Sequence, residues 1–136
     1  MESTRVGGII MEDYTAAARR HWADAQLLDR EQRRQNADHH YGFAAECALK
    51  SALQAMGYFR EEAHRKHINV LWNRMQATAF QHRFPGLVGL LAGSNRFDDW
   101  DVEQRYHGDG AVTEEAIKVH RDCAHRLLRA VGLFRG

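Results

Sequence analysis

The stretch that most constrains the fold is 38–57, DHHYGFAAECALKSALQAMG, whose spacing of apolar residues predicts one long helix. Most of its apolar residues fall on one face when the stretch is drawn as a helix: Tyr41, Ala45, Ala48, Leu49, Ala52, Leu53 and Met56. Phe43 and Cys47 fall on nearly the opposite face, so the helix is apolar on two sides. A helix of this kind must be covered on two sides, which places it at the centre of the molecule.

The rest of the chain predicts further helices around this one. Periodic apolar residues indicate a first helix that starts at Asp13 and runs out in the charged stretch 30–35, and further helices over 68–80 and 113–134. Pro85 begins a short Leu-rich helix that ends near Gly93. A chain of 136 residues with one proline is long enough for one core. We therefore expect an all-α fold, an up-and-down bundle of four main helices plus a short helix, as a single domain over 12–136. Residues 1–11 are expected to form a flexible N-terminal tail.

The central and last helices supply the expected core. The apolar stripe of the last helix is narrow and regular, and we expect it to pack on the main face of the central helix. The following residues are predicted to be buried together: Leu49, Leu53, Val119, Cys123 and Leu127. The connection before the central helix is short, and Asn36 is expected to cap that helix.

Net charge, cysteine content and hydrophobicity limit where the protein can be located and which classes of protein it can belong to. The net charge of +1 gives no global basic field of the kind that attracts nucleic acid to a whole surface. The two cysteines, Cys47 and Cys123, are far apart on predicted helices and are typical of buried thiols in a reducing compartment. No window approaches the roughly eighteen apolar residues of a membrane-spanning helix. We therefore expect a cytoplasmic protein that does not enter a membrane.

The segment YGFAAECALKSAL resembles the signature of HEPN domains, the nucleotide-binding helical domains of higher eukaryotes and prokaryotes. Bacterial members carry a helix of the type Gly-x-Ala-Ala-Glu-x-x-Leu-Lys, and this chain matches it with Gly42, Ala44, Ala45, Glu46, Leu49 and Lys50. Trp100 and the pair Arg105-Tyr106 follow in the expected order, before a long last helix. The resemblance spans about 13–134 and implies a HEPN-like bundle.

Catalytic HEPN members resemble metal-independent ribonucleases, in which four to six residues separate an Arg from a His near the start of the last helix. The Arg would neutralise the scissile phosphate, and the His would exchange protons with the attacking or leaving oxygen. This chain has Arg105 and His107 there, which are too close for that motif. The Arg105-Tyr106 pair resembles the branch of the family that lacks the nuclease motif, so no catalytic residue is assigned. In a ribonuclease the candidates would be Arg105 and His107.

The resemblance leaves a candidate ligand-binding site, whose members are Glu46, Lys50, Trp100, Arg105, Tyr106 and His107. Arg105 would bind a phosphate, the aromatic rings would stack on a base, and His107 would add a donor. Glu46 and Lys50 would fix the orientation of these side chains from the central helix. The structural alternative is an Arg105 ion pair with Glu46 or an Asp, with Trp100 and Tyr106 packed at the edge of the core. The sequence has no glycine-rich phosphate loop and no cysteine pair at zinc spacing, so no metal and no cofactor are expected.

The resemblance implies a binding or regulatory module that works beside a nucleotidyltransferase-type partner in a toxin–antitoxin or defence system, with RNA or a nucleotide as ligand. A ribonuclease toxin and a dimeric structural scaffold are the alternatives. The second apolar face, Phe43 and Cys47, predicts a homodimer unless the short Leu-rich helix covers it.

Overall fold

The computed structural model describes residues 4–6, 9–11, 13–57, 66–75, 77–103, 108 and 110–134. Within these residues the chain forms a bundle of α-helices, which confirms the all-α class. The helices are α1 Tyr14–Arg30, α2 Arg34–Ala55, α3 Ile68–Arg74, α4 Pro85–Ala92 and α5 Glu114–Ala130, with a 3-10 helix at Ala77–Phe80. No helix in these ranges is both long and apolar enough to span a bilayer.

A short hairpin precedes the helices. Its strands, β1 Thr4–Val6 and β2 Ile9–Met11, pair antiparallel with Thr4 opposite Met11. The sequence did not predict this pairing, because the stretch has no alternation of apolar and polar residues long enough to indicate strands. The flexibility of residues 1–11 stays a prediction.

Side-chain caps fix the starts of α1 and α5. The carboxylate of Asp13 accepts a hydrogen bond of 3.0 Å from the backbone N–H of Ala16, and the hydroxyl of Thr113 accepts one of 3.0 Å from that of Ala116. Such caps satisfy amide groups that have no partner inside the helix. The start of α2 differs: the helix begins at Arg34, before the predicted cap Asn36, and its N-cap residue makes no side-chain hydrogen bond.

The packing of the other helices confirms the predicted central position of α2. α1 and α5 both pack against it, and its buried residues extend around most of its circumference between Ala37 and Ala52. Many of these residues are alanines, which allow neighbouring helices to approach closely. Gly57, with a φ of 81°, follows the helix end as predicted.

The second face of α2 is covered within the chain. Cys47 is buried in the main core, and the ring of Phe43 contacts Trp100 with its centroid 5.5 Å away. Trp100 comes from the loop after α4, and α3 packs against the same helix. The loop that follows the short Leu-rich helix α4 therefore brings the largest covering side chain, whereas α4 itself packs mainly against the 3-10 helix and α5.

The predicted core is correct on α2 and partly wrong on α5. Leu49, Cys123 and Leu127 are buried, and Leu53 is partly buried against them. Val119, however, is 41% exposed, whereas the next residue, His120, is only 2% exposed. The buried face of α5 is thus rotated from the predicted stripe and includes a polar side chain.

The predicted helix over 68–80 is divided. α3 ends at Arg74, and Met75 is extended with a ψ of 135°. The 3-10 helix that follows buries Phe80 beside α4. Three long helices, two short ones and this 3-10 helix therefore build the described part of the bundle.

Candidate functional site

Two predicted site residues, Glu46 and Lys50, form a buried ion pair on α2. The Nζ of Lys50 is 3.1 Å from the Oε2 of Glu46, and each side chain is only 7% exposed. The other oxygen of Glu46 accepts a hydrogen bond of 3.0 Å from the backbone N–H of Ile68 and lies 3.0 Å from the Nδ1 of His67. Glu46 therefore attaches the start of α3 to α2, and its role in orienting the other side chains of the candidate site stays a prediction.

The third predicted residue, Trp100, is fully buried on α2. Its indole N–H donates a hydrogen bond of 3.1 Å to the backbone carbonyl of Asp38, and its ring lies directly on Gly42. A Cβ at Gly42 would overlap that ring, so the glycine of the HEPN-like motif is required here for packing. Stacking of Trp100 on a base would require this loop to move. The remaining predicted residues, Arg105, Tyr106 and His107, lie outside the described residues.

A buried histidine that the sequence did not single out holds the Trp100 loop. The Nδ1 of His120 is 2.6 Å from the Oδ1 of Asp38, and its Nε2 is 2.7 Å from the Oδ1 of Asp99. Its ring stacks on Phe97 at 5.0 Å. Burial alone would lower the pKa of His120, but the hydrogen bonds and negative charges of the two aspartates outweigh burial and raise this pKa.

The described residues also form an open cleft of about 850 Å³, where the turn between α1 and α2 meets the start of α5. Four cationic side chains and two carboxylates line it, which leaves a net positive charge. Amide side chains, a glycine and one isoleucine complete the wall. The lining residues are Asp29, Gln32, Arg33, Arg34, Gln35, Asn36, Gly110, Glu114, Ile117, Lys118 and Arg121.

The four cations of the cleft differ in how strongly they are held. Arg34 donates to the carbonyl of Val112 at 3.2 Å and to the Oε1 of Glu114 at 3.3 Å. Arg33 and Lys118 are exposed and make no ion pair with any carboxylate in the described part of the chain. Their positive charges therefore remain available to an anion that enters the cleft.

Arg121 is held by a chain of hydrogen bonds that joins three helices. Its guanidinium NH1 lies 3.4 Å from the Oδ2 of Asp29 on α1. The same oxygen accepts a hydrogen bond of 2.8 Å from the hydroxyl of Tyr41 on α2. That hydroxyl in turn accepts one of 2.7 Å from the side-chain amide of Gln26. Three of the four residues come from α1 and α2, which pack against each other.

Gln32 has an unusual backbone conformation at the edge of the cleft. Its φ of 59° is positive, and the backbone N–H groups of Gln32 and Arg33 bond to the carbonyls of Asp29 and Leu28. This is the hydrogen-bond pattern that ends α5 with Gly132. A glutamine here costs about 1–2 kcal/mol relative to glycine, yet its side chain lines the cleft.

Sequence reasoning missed this cleft because its parts are far apart along the chain. Arg33 and Arg34 belong to a charged stretch that is typical of a solvated helix end, and Lys118 and Arg121 stand on a polar face. The one local signal is the spacing of Lys118 and Arg121, which are three residues apart and therefore lie side by side on α5. Only the fold shows that both pairs face the same space.

The described residues contain no group of three or more histidine, cysteine or acidic side chains that could hold a metal ion. Comparison with known proteins finds no matching family model, no matching curated protein and no matching solved structure. The fold and site therefore define the chain as an all-helical bundle with a cationic cleft beside the start of its last helix.

Proposed function

We propose that this chain is a HEPN-like binding or regulatory module that recognises a phosphate-bearing ligand, a nucleotide or RNA, in the cationic cleft. The proposal is carried by one observation, the convergence of Arg33, Arg34, Lys118 and Arg121 on one open space. Guanidinium and ammonium groups are the usual protein donors to phosphate oxygens. Their concentration at one place supplies locally the positive field that the whole chain lacks.

The resemblance to HEPN domains adds the biological setting to this proposal. In that setting the module works beside a nucleotidyltransferase-type partner in a toxin–antitoxin or defence system. The cleft is open on one side, which suits a ligand larger than a mononucleotide or one that is shared with a partner.

Binding of a short labelled RNA, measured by fluorescence anisotropy over a range of salt concentrations, tests the proposal. The double variant Arg33→Gln with Lys118→Gln should weaken binding and lower the slope of log affinity against log salt by about two. The matched control is Arg126→Gln with Arg129→Gln, two exposed arginines elsewhere on α5. It changes the net charge equally and should leave the affinity near that of the wild type.

Two results would reject the proposal. One is the absence of measurable binding of the wild-type chain to RNA, mononucleotides and nucleoside polyphosphates at low salt. The other is an equal loss of affinity in both double variants, because this would mean that total charge rather than the cleft governs binding.

We also propose that the chain forms a homodimer, through exposed apolar side chains rather than through the predicted Phe43 and Cys47 face. The Phe43 and Cys47 face is covered within the chain, whereas Leu27, Val70 and Val119 are 50%, 40% and 41% exposed. Light scattering should give twice the chain mass of 15.6 kDa. A species of the single-chain mass at tens of micromolar would remove the dimer from the proposal.

A further inference from the structure

Arg121 differs from the other cations of the cleft because its position is set before any ligand arrives. Arg33 and Lys118 are exposed, so they must lose side-chain freedom when they bind an anion. Arg121 is only 35% exposed and is held by Asp29 on one side and by Asp122, 3.5 Å from its Nε, on the other. A guanidinium that is already oriented loses less entropy on binding.

The contacts that hold Arg121 are long for ion pairs. Charge-assisted N–H to carboxylate bonds are commonly about 2.7–2.9 Å, whereas those of Arg121 are 3.4 and 3.5 Å. They therefore orient the guanidinium without saturating it. A guanidinium has five N–H donors, and the two contacts use only part of this set.

Behind Arg121, the position of Asp29 depends on a buried phenol. Tyr41 is fully buried, and its hydroxyl donates to the same oxygen of Asp29 that receives Arg121. Burial and the hydrogen bond to Asp29 raise the pKa of Tyr41 well above its usual value, so the phenol remains protonated and donates at any working pH. Gln26 completes the chain by donating to the phenol oxygen.

We propose that Arg121 is the residue that binds the ligand's phosphate directly, and that Tyr41 is a positioning residue that acts on it through Asp29. The inference rests on the proposed function and names the contact on which it depends. The hydroxyl of Tyr41 never touches the ligand. Its effect on binding must therefore pass through the guanidinium of Arg121.

A double-mutant cycle on RNA binding separates this role from a purely structural one. Tyr41→Phe removes one oxygen and no charge, so it should weaken binding roughly three- to tenfold and leave the salt slope unchanged. Arg121→Gln should weaken binding more and lower the slope by about one. In the Arg121→Gln background, Tyr41→Phe should have no further effect, because the group that it positions is gone.

Two further variants control the cycle. Tyr14→Phe makes the same chemical change on α1 away from the cleft and should not change the affinity. Arg121→Lys keeps the charge but loses the planar fork, so it should keep the salt slope and still weaken binding. It tests the inference independently if Tyr41→Phe does not fold, which circular dichroism at the assay temperature would show.

The outcomes distinguish the two proposals. If Arg33→Gln with Lys118→Gln weakens binding while Arg121→Gln and Tyr41→Phe do not, the cleft binds phosphate but this inference is wrong. Equal effects of Tyr41→Phe in the wild-type and Arg121→Gln backgrounds would also overturn it. If the wild-type chain binds no phosphate-bearing ligand, the proposed function itself fails.

Discussion

Substitution of Gly42 by alanine tests whether the glycine of the HEPN-like motif is needed for packing. Gly42 lies inside α2, where alanine is better than glycine by about 0.5–1 kcal/mol. Its new Cβ, however, would overlap the ring of Trp100, which is fully buried and hydrogen-bonded to α2. Expelling a buried tryptophan entirely would cost about 3–5 kcal/mol, as for truncation to alanine. We expect Gly42→Ala to lower the free energy of unfolding by about 2–4 kcal/mol.

The matched control is Gly89→Ala in α4. Gly89 is also helical, but it is exposed and a Cβ there would meet no atom within 4 Å. This variant should be more stable than the wild type by about 0.5–1 kcal/mol. Chemical denaturation of the three proteins gives the comparison. If Gly42→Ala were as stable as the wild type, the close seating of Trp100 on α2 would be refuted.

Four further predictions follow from other parts of the molecule. Leu49→Ala should cost about 2–5 kcal/mol in denaturant melts, since Leu49 is fully buried. Gln32→Gly should stabilise the chain by up to about 1 kcal/mol, because glycine adopts the positive φ at this position without the steric strain that a side chain causes. The raised pKa of His120 stabilises the folded state. This stabilisation is complete below pH 6.5, the unperturbed pKa of histidine, and is lost as the pH rises through the folded-state pKa of His120. The loss should disappear in His120→Gln. Purified protein should leave RNA intact, and cleavage that persists in chelator but disappears in His107→Ala would contradict this.

The central helix was predictable because its pattern is unusual. Few helices are apolar on two sides. Small residues on both sides indicate that other helices pack closely against α2, and these helices are α1 and α5. The sequence also predicted the helix end at Gly57, since the residue just past a helix end often has a left-handed backbone conformation, which favours glycine. Its start was placed too late, because Asn36 is a good capping residue but the structure begins α2 at Arg34 without a cap.

The error on α5 arose because the hydrophobic pattern treats histidine as polar. Val119 and His120 are neighbours, and the apolar stripe favours the valine, yet the structure buries the histidine. Burial of His120 in place of Val119 is favourable only because Asp38 and Asp99 both form hydrogen bonds with the imidazole. Asp38 is on α2 and Asp99 on the loop after α4, so no local pattern on α5 could reveal them.

The motif residues Glu46 and Lys50 show how far spacing along a helix predicts contacts. Both are predicted to orient the other side chains of the candidate site, and the structure shows that they contact each other and the start of α3. Spacing alone could predict the ion pair, because a Glu and a Lys four residues apart meet on a helix. It could not predict that both would be buried, or that the start of α3 would contact Glu46.

The same geometry bears on whether the chain cleaves RNA or only binds it. The histidine-dependent cleavage that the HEPN resemblance implies needs a histidine close to the arginine that holds the phosphate. Both histidines of α5 are engaged elsewhere: His120 between its two aspartates, and His125 against the rings of Trp22 and Phe134, each about 5.5 Å away. Neither lines the cleft beside Arg121. Histidine-dependent cleavage of a phosphate held by Arg121 would therefore need a histidine from a segment other than the described part of α5.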